Sequence, residues 1–307
     1  MRGSGLTGRR RLTTVCIGPL LWYGAFIMKK PEALSRRSFL TLAALAPAGA
    51  ALAAKRHIPV GLELFSVRDG LKKDPMGTLQ GVAKMGYQCV EFFAPYYGWT
   101  PDYAKQVRKQ LDSLSIRCYS THNSPVSFSA AGMGKAIALN QILGSRFVVL
   151  AYPGNVNTLD GWKRIADLLN NANTVLSRHG MHAGYHNHDA EWKPVDGQKP
   201  MEVLAVNTDK SIMLQLDVGT CVAAGSNPVA WINSHPGRIR SLHLKDWSPQ
   251  KGYRVLFGQG VAPWKKIFAA AESRGGVEYY LIEQEGSDYP EMETASLCLK
   301  AYRKLRA

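Results

Sequence analysis

The sequence predicts one α/β domain of the (β/α)8 class, a single-domain TIM barrel with eight parallel strands and the helices between them. From residue 58 onward, short runs rich in β-branched and aromatic residues alternate with amphipathic segments, the pattern of βα units in a parallel sheet. About eight such runs can be counted, which is the strand number of this barrel. Glycines follow four of the amphipathic segments, where a left-handed helix end favours this residue: Gly86, Gly144, Gly180 and Gly275.

The predicted strands occupy, in chain order, residues 58–65, 88–93, 116–121, 147–152, 182–187, 211–217, 239–245 and 279–285. Helices are predicted at residues 76–85, 103–114, 135–143, 159–178 and 263–274, where apolar residues recur three and four positions apart. A chain of 307 residues with 46% hydrophobic content can bury one core of this size, and residues 55–307 are assigned to the barrel. An open doubly wound sheet is the alternative, but its glycine-rich phosphate-binding turn is missing.

Residues 1–54 are predicted to be an N-terminal extension and a removable export signal. The motif Ser-Arg-Arg-Ser-Phe-Leu at residues 35–40 resembles a bacterial twin-arginine signal, and the apolar run after it ends in the small-residue site Ala-Leu-Ala. This run is shorter than the roughly 20 residues that span a bilayer, which argues against a membrane anchor. Met28 with its two following lysines would make a conventional start, so residues 1–27 are expected to be an upstream extension. We therefore expect a periplasmic or otherwise exported protein with no stable membrane anchor after processing.

The formal net charge of +15 is concentrated near the N-terminus. Residues 1–56 carry ten Lys/Arg and one acidic residue, which leaves 28 basic against 22 acidic side chains, about +6, for the remainder. No basic stripe interleaved with aromatic residues is found there, so nucleic acid is not predicted as a partner. The four cysteines of this part lack C-x-x-C spacing and are expected to be buried small hydrophobic residues: Cys89, Cys118, Cys221 and Cys298.

Charged and imidazole side chains collect at the ends of the predicted strands. They are Glu63, Glu91, His122, His186, His188, Asp217, His243, Glu283 and Glu285. In a barrel the carboxyl ends of the strands build the active site, whereas strand interiors fill the core. A single residue of this kind could be a satisfied core position. Several on one face indicate a site, because buried carboxylates and imidazoles are costly unless they are paired or bound to a cation.

Three of these residues form a set of oxygen and nitrogen donors on strands six, seven and eight: Asp217, His243 and Glu283. Such a set suits manganese, magnesium, zinc or cobalt, and no thiolate is placed to join it. One divalent metal could hold adjacent oxygens of a polyol and polarise a carbonyl, which acidifies the neighbouring C–H bond. The sequence therefore predicts a metal-assisted proton abstraction on a small sugar or polyol.

Three motifs resemble those of the xylose-isomerase-like TIM-barrel superfamily, which includes sugar isomerases, ketose 3-epimerases, inosose dehydratases and enzymes of the endonuclease IV type. The motifs are Tyr-His-Asn-His-Asp at residues 185–189, Leu-Asp-Val-Gly-Thr at 216–220 and His-Leu-Lys-Asp at 243–246. The resemblance extends over nearly the whole of the barrel. It implies that four residues on strands five to eight bind one divalent metal. Asp217, His243 and Glu283 match three of them.

The fifth strand departs from the pattern that the resemblance implies. Where the family usually has Glu-Asn-His, this sequence has His-Asn-His, so His186 replaces a carboxylate. His186 is expected to be the fourth ligand or a nearby proton carrier, and Glu283 the principal base. The two-carboxylate scheme of 3-epimerases would lack one partner unless Glu191 folds back to supply it. Enolisation by one base, or β-elimination from a 3-keto-sugar, fits the remaining residues better.

Other positions are expected to contact substrate. Lys245 is predicted to bind substrate oxygens as a catalytic residue, the alternative being an ion pair with Asp246 or Glu283. Aromatic residues after the strands could stack on sugar faces, although core packing is the commoner role of any one of them. The predicted substrate-binding residues are His188, Glu63, Glu91, His122, Glu191 and Trp247.

The leading hypothesis is a metal-dependent isomerase or epimerase that acts on a ketose or keto-sugar. A lyase, acting on a 3-keto-glycoside or an inosose-like polyol, is the alternative enzyme class, and a non-catalytic sugar-binding barrel is the alternative without catalysis. Cleavage of DNA at abasic sites would need more metal ligands and a basic face, and the export signal also opposes it. The sequence leaves a homo-oligomer open.

Overall fold

The computed structural model describes residues 57–307, and in them eight parallel strands close into a barrel in the order of the chain. The first strand pairs with the last as well as with the second, so the sheet has no free edge. The strands are β1 Val60–Glu63, β2 Cys89–Phe92, β3 Arg117–Asn123, β4 Phe147–Leu150, β5 His182–His186, β6 Met213–Asp217, β7 Ser241–Leu244 and β8 Tyr279–Ile282. The predicted (β/α)8 TIM barrel is confirmed.

The described residues, 57–307, form ten α-helices around the barrel. They are α1 Arg68–Lys73, α2 Pro75–Met85, α3 Pro101–Ser113, α4 Met133–Leu143, α5 Leu159–Ser177, α6 Pro200–Asn207, α7 Val218–Ala223, α8 Pro228–Ser234, α9 Trp264–Ala270 and α10 Glu291–Arg306. Several begin with a side-chain cap followed by proline. Asp74, for example, accepts a hydrogen bond from the backbone N–H of Gly77 at the start of α2. None of the helices in residues 57–307 is long and apolar enough to cross a membrane.

Two of the boundaries that differ from the prediction change the position of a residue singled out in the sequence. Strand β3 continues to Asn123 because its last two residues, His122 and Asn123, pair with β4, which places His122 inside the strand rather than after it. Gly275 does not cap α9. A π-helical turn, Ala271–Gly275, follows that helix, so the residue with the left-handed conformation comes one position later. This residue is Gly276, with a φ of 79°. The caps predicted at Gly86 and Gly144 are confirmed, with φ values of 96° and 77°.

The hydrophobic core has two parts. The larger lies between the strands and the helices, and the smaller fills the interior of the barrel with Cys89, Phe147, Val149, Met213, Tyr279 and Leu281. Since side chains alternate along a strand, the residues two positions further on also point into the barrel. Three of these positions are polar: Glu91 on β2, Gln215 on β6 and Glu283 directly after β8. A polar layer therefore rests on an apolar one at the carboxyl end.

The four cysteines of the described chain are buried and free, as expected from their spacing. The predicted twin-arginine signal lies outside the described residues.

Candidate active site

A cavity of about 440 Å³ opens at the carboxyl ends of the strands. Its wall combines acidic, imidazole and aromatic side chains, among them Glu63, Phe65, Phe93, His122, Tyr152, His186, His188, Glu283 and Glu285. Six of the polar residues predicted from the strand ends thus face one space. Asp217, His243, Lys245 and Glu91 lie in the polar layer next to it and are almost fully buried.

Asp217 is held by the helix that it starts. Its Oδ1 accepts a hydrogen bond from the backbone N–H of Thr220 at 2.9 Å, which caps α7. Asn187 fixes the backbone on the other side, because its Oδ1 accepts from the Asp217 N–H at 3.1 Å. The second carboxylate oxygen, Oδ2, is buried and has no hydrogen-bond donor in the described chain. Burial raises the pKa of the Asp217 carboxyl, and Lys245, 3.7 Å from Oδ2, is the largest influence that lowers it.

His243 lies between two carboxylates. Its Nδ1 is 2.5 Å from Oε2 of Glu283, and its Nε2 is 2.8 Å from Oε2 of Glu91. Burial disfavours the charged imidazolium, but these two neighbours together raise the pKa of His243 well above its usual range. Burial likewise works against ionisation of Glu91, yet His122 and His243 hold the pKa of its carboxyl below the usual range. The buried imidazolium of His243 is thus paired with two buried carboxylates, those of Glu91 and Glu283.

Lys245 is buried beside the cavity and faces three carboxylates. It forms a close ion pair with Glu285, and its Nζ lies 3.6 Å from Oε1 of Glu283 and 3.7 Å from Oδ2 of Asp217. The burial of Glu283 favours its neutral form, but Lys245 and His243 outweigh it and lower the pKa of this carboxyl well below its usual range. Glu283 is therefore an ionised carboxylate in contact with the cavity, as a base requires.

Asp246 is not the ion-pair partner of Lys245. Its carboxylate instead accepts hydrogen bonds from the backbone of Trp247, Gly258 and Gly260 and from the indole of Trp264. It organises the long loop after β7.

His186 joins the polar layer from β5. Burial and the neighbouring imidazoles of His243 and His122 lower its pKa well below the usual range, so the ring is neutral and has a lone pair to offer. Its Nδ1 lies 3.2 Å from Oε1 of Gln215. The same oxygen of Gln215 lies 2.8 Å from Nε2 of His122. Gln215 was not predicted as a site residue. It lies two residues before Asp217 on the same face of β6, and this spacing could have identified it.

The residues present fit a divalent metal. One ligand atom each from His186, Asp217 and Glu283 lie within 4.8 Å of one another. Ligands of one ion with bonds of about 2.0–2.3 Å are separated by roughly 3–4.5 Å, so small side-chain shifts would suffice. The buried Oδ2 of Asp217 accepts no hydrogen bond in the described chain, so its lone pairs can bind a metal. His243 contacts Glu283 directly, and Glu91 on its far nitrogen is the kind of carboxylate that orients a metal-bound histidine.

Glu191 does not reach the cavity. Its Oε1 accepts from the Tyr185 hydroxyl at 2.5 Å and its Oε2 from the backbone N–H of His188 at 2.9 Å, so both oxygens are engaged. This leaves β5 without a free carboxylate. Trp247 and Glu91 are also absent from the cavity wall, whereas His188 and Glu63 belong to it. Oε1 of Glu63 is buried without a donor in the described chain.

A second cavity of about 500 Å³ lies beside the first and shares Phe93 with it. Aromatic and aliphatic side chains form most of its wall, with Arg68, Asp69 and Lys72 as its charged members. None of the acidic and imidazole groups of the polar layer contributes to it. Its size alone therefore does not make it the reacting site.

Comparison with known proteins agrees with the fold. A family model described as a xylose isomerase-like TIM barrel matches residues 79–304. An inosose dehydratase from Clostridium beijerinckii is 36% identical over 142 residues, which are 40% of this chain and 47% of that protein. The chain thus spans about half the length of the curated relatives it matches.

Among solved structures, a sugar phosphate isomerase/epimerase from Parabacteroides distasonis is 25% identical with a TM-score of 0.68, over 83% of this chain and 96% of that one. The IOLI protein, crystallised with a zinc atom, is 16% identical with a TM-score of 0.65, over 81% and 98% of the two chains. At that identity the likeness shows the fold alone.

Proposed function

This chain belongs to the xylose isomerase-like TIM-barrel family, and from that premise we propose that it is a divalent-metal-dependent lyase that removes water or another β-leaving group from a keto-sugar or keto-polyol. The observation that carries this proposal is the make-up of the cavity. The carboxylate of Glu283 faces the same space as two imidazoles, that of His186 at the end of β5 and that of His188 just after it. No free carboxylate stands opposite Glu283 on that strand, because Glu191 is fully hydrogen-bonded.

Elimination needs a base that removes the proton from carbon and an acid that protonates the leaving group. Glu283 would remove the proton from the carbon next to the carbonyl, and the electrons of that C–H bond would form the new C=C bond as the C–O bond to the leaving group breaks. His188 would give its proton to the departing oxygen. Lys245 would hold a substrate oxygen near Glu283. His186, Asp217, His243 and Glu283 would bind the metal, which supplies polarisation of the carbonyl when bound.

The relatives support this reaction class without deciding the substrate. The similarity to an inosose dehydratase covers about half of that protein, so its reaction is carried to this chain only as a proposal. Dehydration of an inosose is itself a β-elimination next to a carbonyl. The proposed substrate is therefore a small keto-polyol or a 3-keto-glycoside.

The test is a product assay on the purified mature protein. With Mn²⁺, Co²⁺, Zn²⁺ or Mg²⁺ added, inosose and 3-keto-glycosides should give a conjugated enone that absorbs in the ultraviolet. Glu283→Gln should abolish it, because an amide cannot accept the proton. Glu202→Gln, on the exposed side of α6, is the matched control and should retain activity. No enone from any of these substrates with any of these metals would contradict the lyase proposal.

Isomerisation or epimerisation of a ketose is the second candidate, favoured by the similarity to the sugar phosphate isomerase/epimerase over nearly the whole barrel. Both reactions start with the same proton removal. They differ in the fate of the resulting enolate, so incubation with ketoses in D₂O separates them: deuterium incorporation with rearranged sugar supports the isomerase, and enone formation supports the lyase. A sugar-binding barrel without catalysis would bind these ligands and give neither product.

A further inference from the structure

We infer that Gln215 is a positioning residue of the metal site, whose amide decides which ring nitrogen of His186 carries hydrogen and so leaves Nε2 as the ligand atom. The inference rests on the proposed metal-dependent function. Gln215 is fully buried on β6, beneath the cavity. It is not itself part of the cavity wall, but it contacts two residues that are, His122 and His186.

The amide of Gln215 lies at the centre of the polar layer. Its Oε1 is 2.8 Å from Nε2 of His122 and 3.2 Å from Nδ1 of His186. Its Nε2 is 3.0 Å from Oε1 of Glu91 and 3.4 Å from Oγ of Ser241. One side chain on β6 therefore connects β2, β3, β5 and β7 at the level just below the candidate metal ligands.

The neighbours determine which way the amide faces. The Glu91 carboxylate also contacts Nε2 of His122 at 3.0 Å and Nε2 of His243 at 2.8 Å, so it serves as the acceptor of the layer. The amide NH₂ of Gln215 donates a hydrogen bond to Oε1 of this carboxylate. The reverse orientation would place the amide oxygen 3.0 Å from a carboxylate oxygen, with no hydrogen between them, and would direct both amide hydrogens toward ring nitrogens.

The orientation of the amide has a consequence for both imidazoles. An oxygen accepts hydrogen bonds, so the ring nitrogens that face Oε1 carry N–H. For His186 this means hydrogen on Nδ1 and a lone pair on Nε2, the atom then available to join Asp217 and Glu283 in the donor set. Partners of this kind, placed behind a ligand, fix its tautomer and typically alter metal affinity by about 10–100-fold when removed.

Gln215→Met tests the inference, because methionine has a similar volume and forms no such hydrogen bonds. We expect the dissociation constant for Mn²⁺ or Zn²⁺, measured by competition with a chelator, to rise by about 10–100-fold. Ser241→Ala is the matched control: it removes the remaining contact of Gln215 but leaves the imidazoles bonded, and its dissociation constant should stay close to that of wild type. Thermal unfolding of both variants reports whether they fold.

Long-range ¹H–¹⁵N correlation spectra of the metal-free wild-type protein give a second, independent measurement. The ring of His186 should carry hydrogen on Nδ1, and this preference should be lost in Gln215→Met. A wild-type ring with hydrogen on Nε2 overturns the inference even if the variant fails to fold, and so does a variant that keeps both tautomer and metal affinity. A wild-type protein that binds none of the metals contradicts the proposed function instead, while the tautomer still tests the role of Gln215.

Discussion

The Nε2 atom of His243 lies 2.8 Å from Oε2 of Glu91, so the second strand of the barrel orients a candidate metal ligand on the seventh. These residues are 152 positions apart in the sequence, and both are fully buried. The contact makes Glu91 the common acceptor of the polar layer, since His122 and Gln215 also lie within 3.0 Å of its oxygens. Glu91 is thus placed to support the site from below rather than to contact a substrate.

Glu91→Leu should destabilise the protein strongly. It removes the acceptor from three buried N–H groups, and breaking a buried ion pair from one side costs about 3–5 kcal/mol. Urea unfolding of the metal-free protein at pH 7 measures the loss. Asp160→Ala, which removes an exposed pair with Lys163, should change the free energy of unfolding by less than about 1 kcal/mol. A Glu91 variant as stable as that control would show that the layer tolerates an apolar side chain.

The protein should bind one divalent ion per chain, and Asp217→Asn should weaken this binding by more than the roughly 10–100-fold typical of outer partners. The reason is that the free Oδ2 of Asp217 becomes a neutral amide group. Metal analysis after dialysis gives the stoichiometry, and calorimetric titration gives the affinity. Asp189→Asn is the control, because that carboxylate pairs with Lys193 instead. Stoichiometric, tight metal in Asp217→Asn would exclude Asp217 as a ligand.

Substitutions of His186 should separate ligand binding from proton transfer. His186→Ala should lower metal affinity if the ring is a ligand, and should lower turnover with metal still bound if it carries a proton. His186→Glu restores the carboxylate that the family resemblance implies on β5, and we expect it to gain 3-epimerase activity on ketoses. Chromatographic analysis of the sugar products measures this gain. Full metal and full turnover in His186→Ala would reduce the role of the residue to packing.

Stability of the metal-free protein should respond to pH through Glu63. Burial and the nearby Glu283 raise the pKa of the Glu63 carboxyl well above its usual range. A raised folded-state pKa means that the stabilising contribution is present below the unfolded value of about 4.5 and is lost as pH rises through the folded one. Glu63→Gln should therefore gain stability relative to wild type as pH rises. Unfolding curves from about pH 5 to 8 measure the difference.

Glu202→Gln, at an exposed position of α6, controls for the loss of a surface carboxylate in these unfolding experiments. A difference between wild type and Glu63→Gln that stays constant over this pH range would show that Glu63 is not held against its ionisation.

Export through the twin-arginine pathway stays a prediction that rests on the sequence motif at residues 35–40. Replacement of Arg36 and Arg37 by Lys should leave the protein in the cytoplasm. Fractionation of cells that express the wild-type and double-Lys forms, with detection by an antibody, measures the distribution. Equal amounts of both forms in the periplasm would disprove the role of the motif. Cleavage near Ala53 would appear as the mature N-terminus.

The sequence was sufficient to place most of the polar residues, because their positions depend on local patterns. Alternation along strands and three-to-four spacing along helices predict the barrel. The barrel geometry in turn brings strand ends together, so Glu63, His186 and Glu283 share a cavity as expected. His122 lies in the cavity wall as expected, but the sequence placed it after its strand, because its pairing with Val149 of β4 depends on how the two strands meet.

The sequence by itself determined the fold class and the chemical type of the site, since both depend on residue types at regular spacing. Only the tertiary structure decided which donor meets which acceptor. The sequence left Glu191 open as a second carboxylate of the site, but its two oxygens accept hydrogen bonds from Tyr185 and from the backbone of His188. Gln215 looked like an ordinary strand residue, yet it contacts Glu91 from 124 positions away. Such contacts depend on the register and closure of the barrel, and directional hydrogen bonds across it form only when several distant strands are in place.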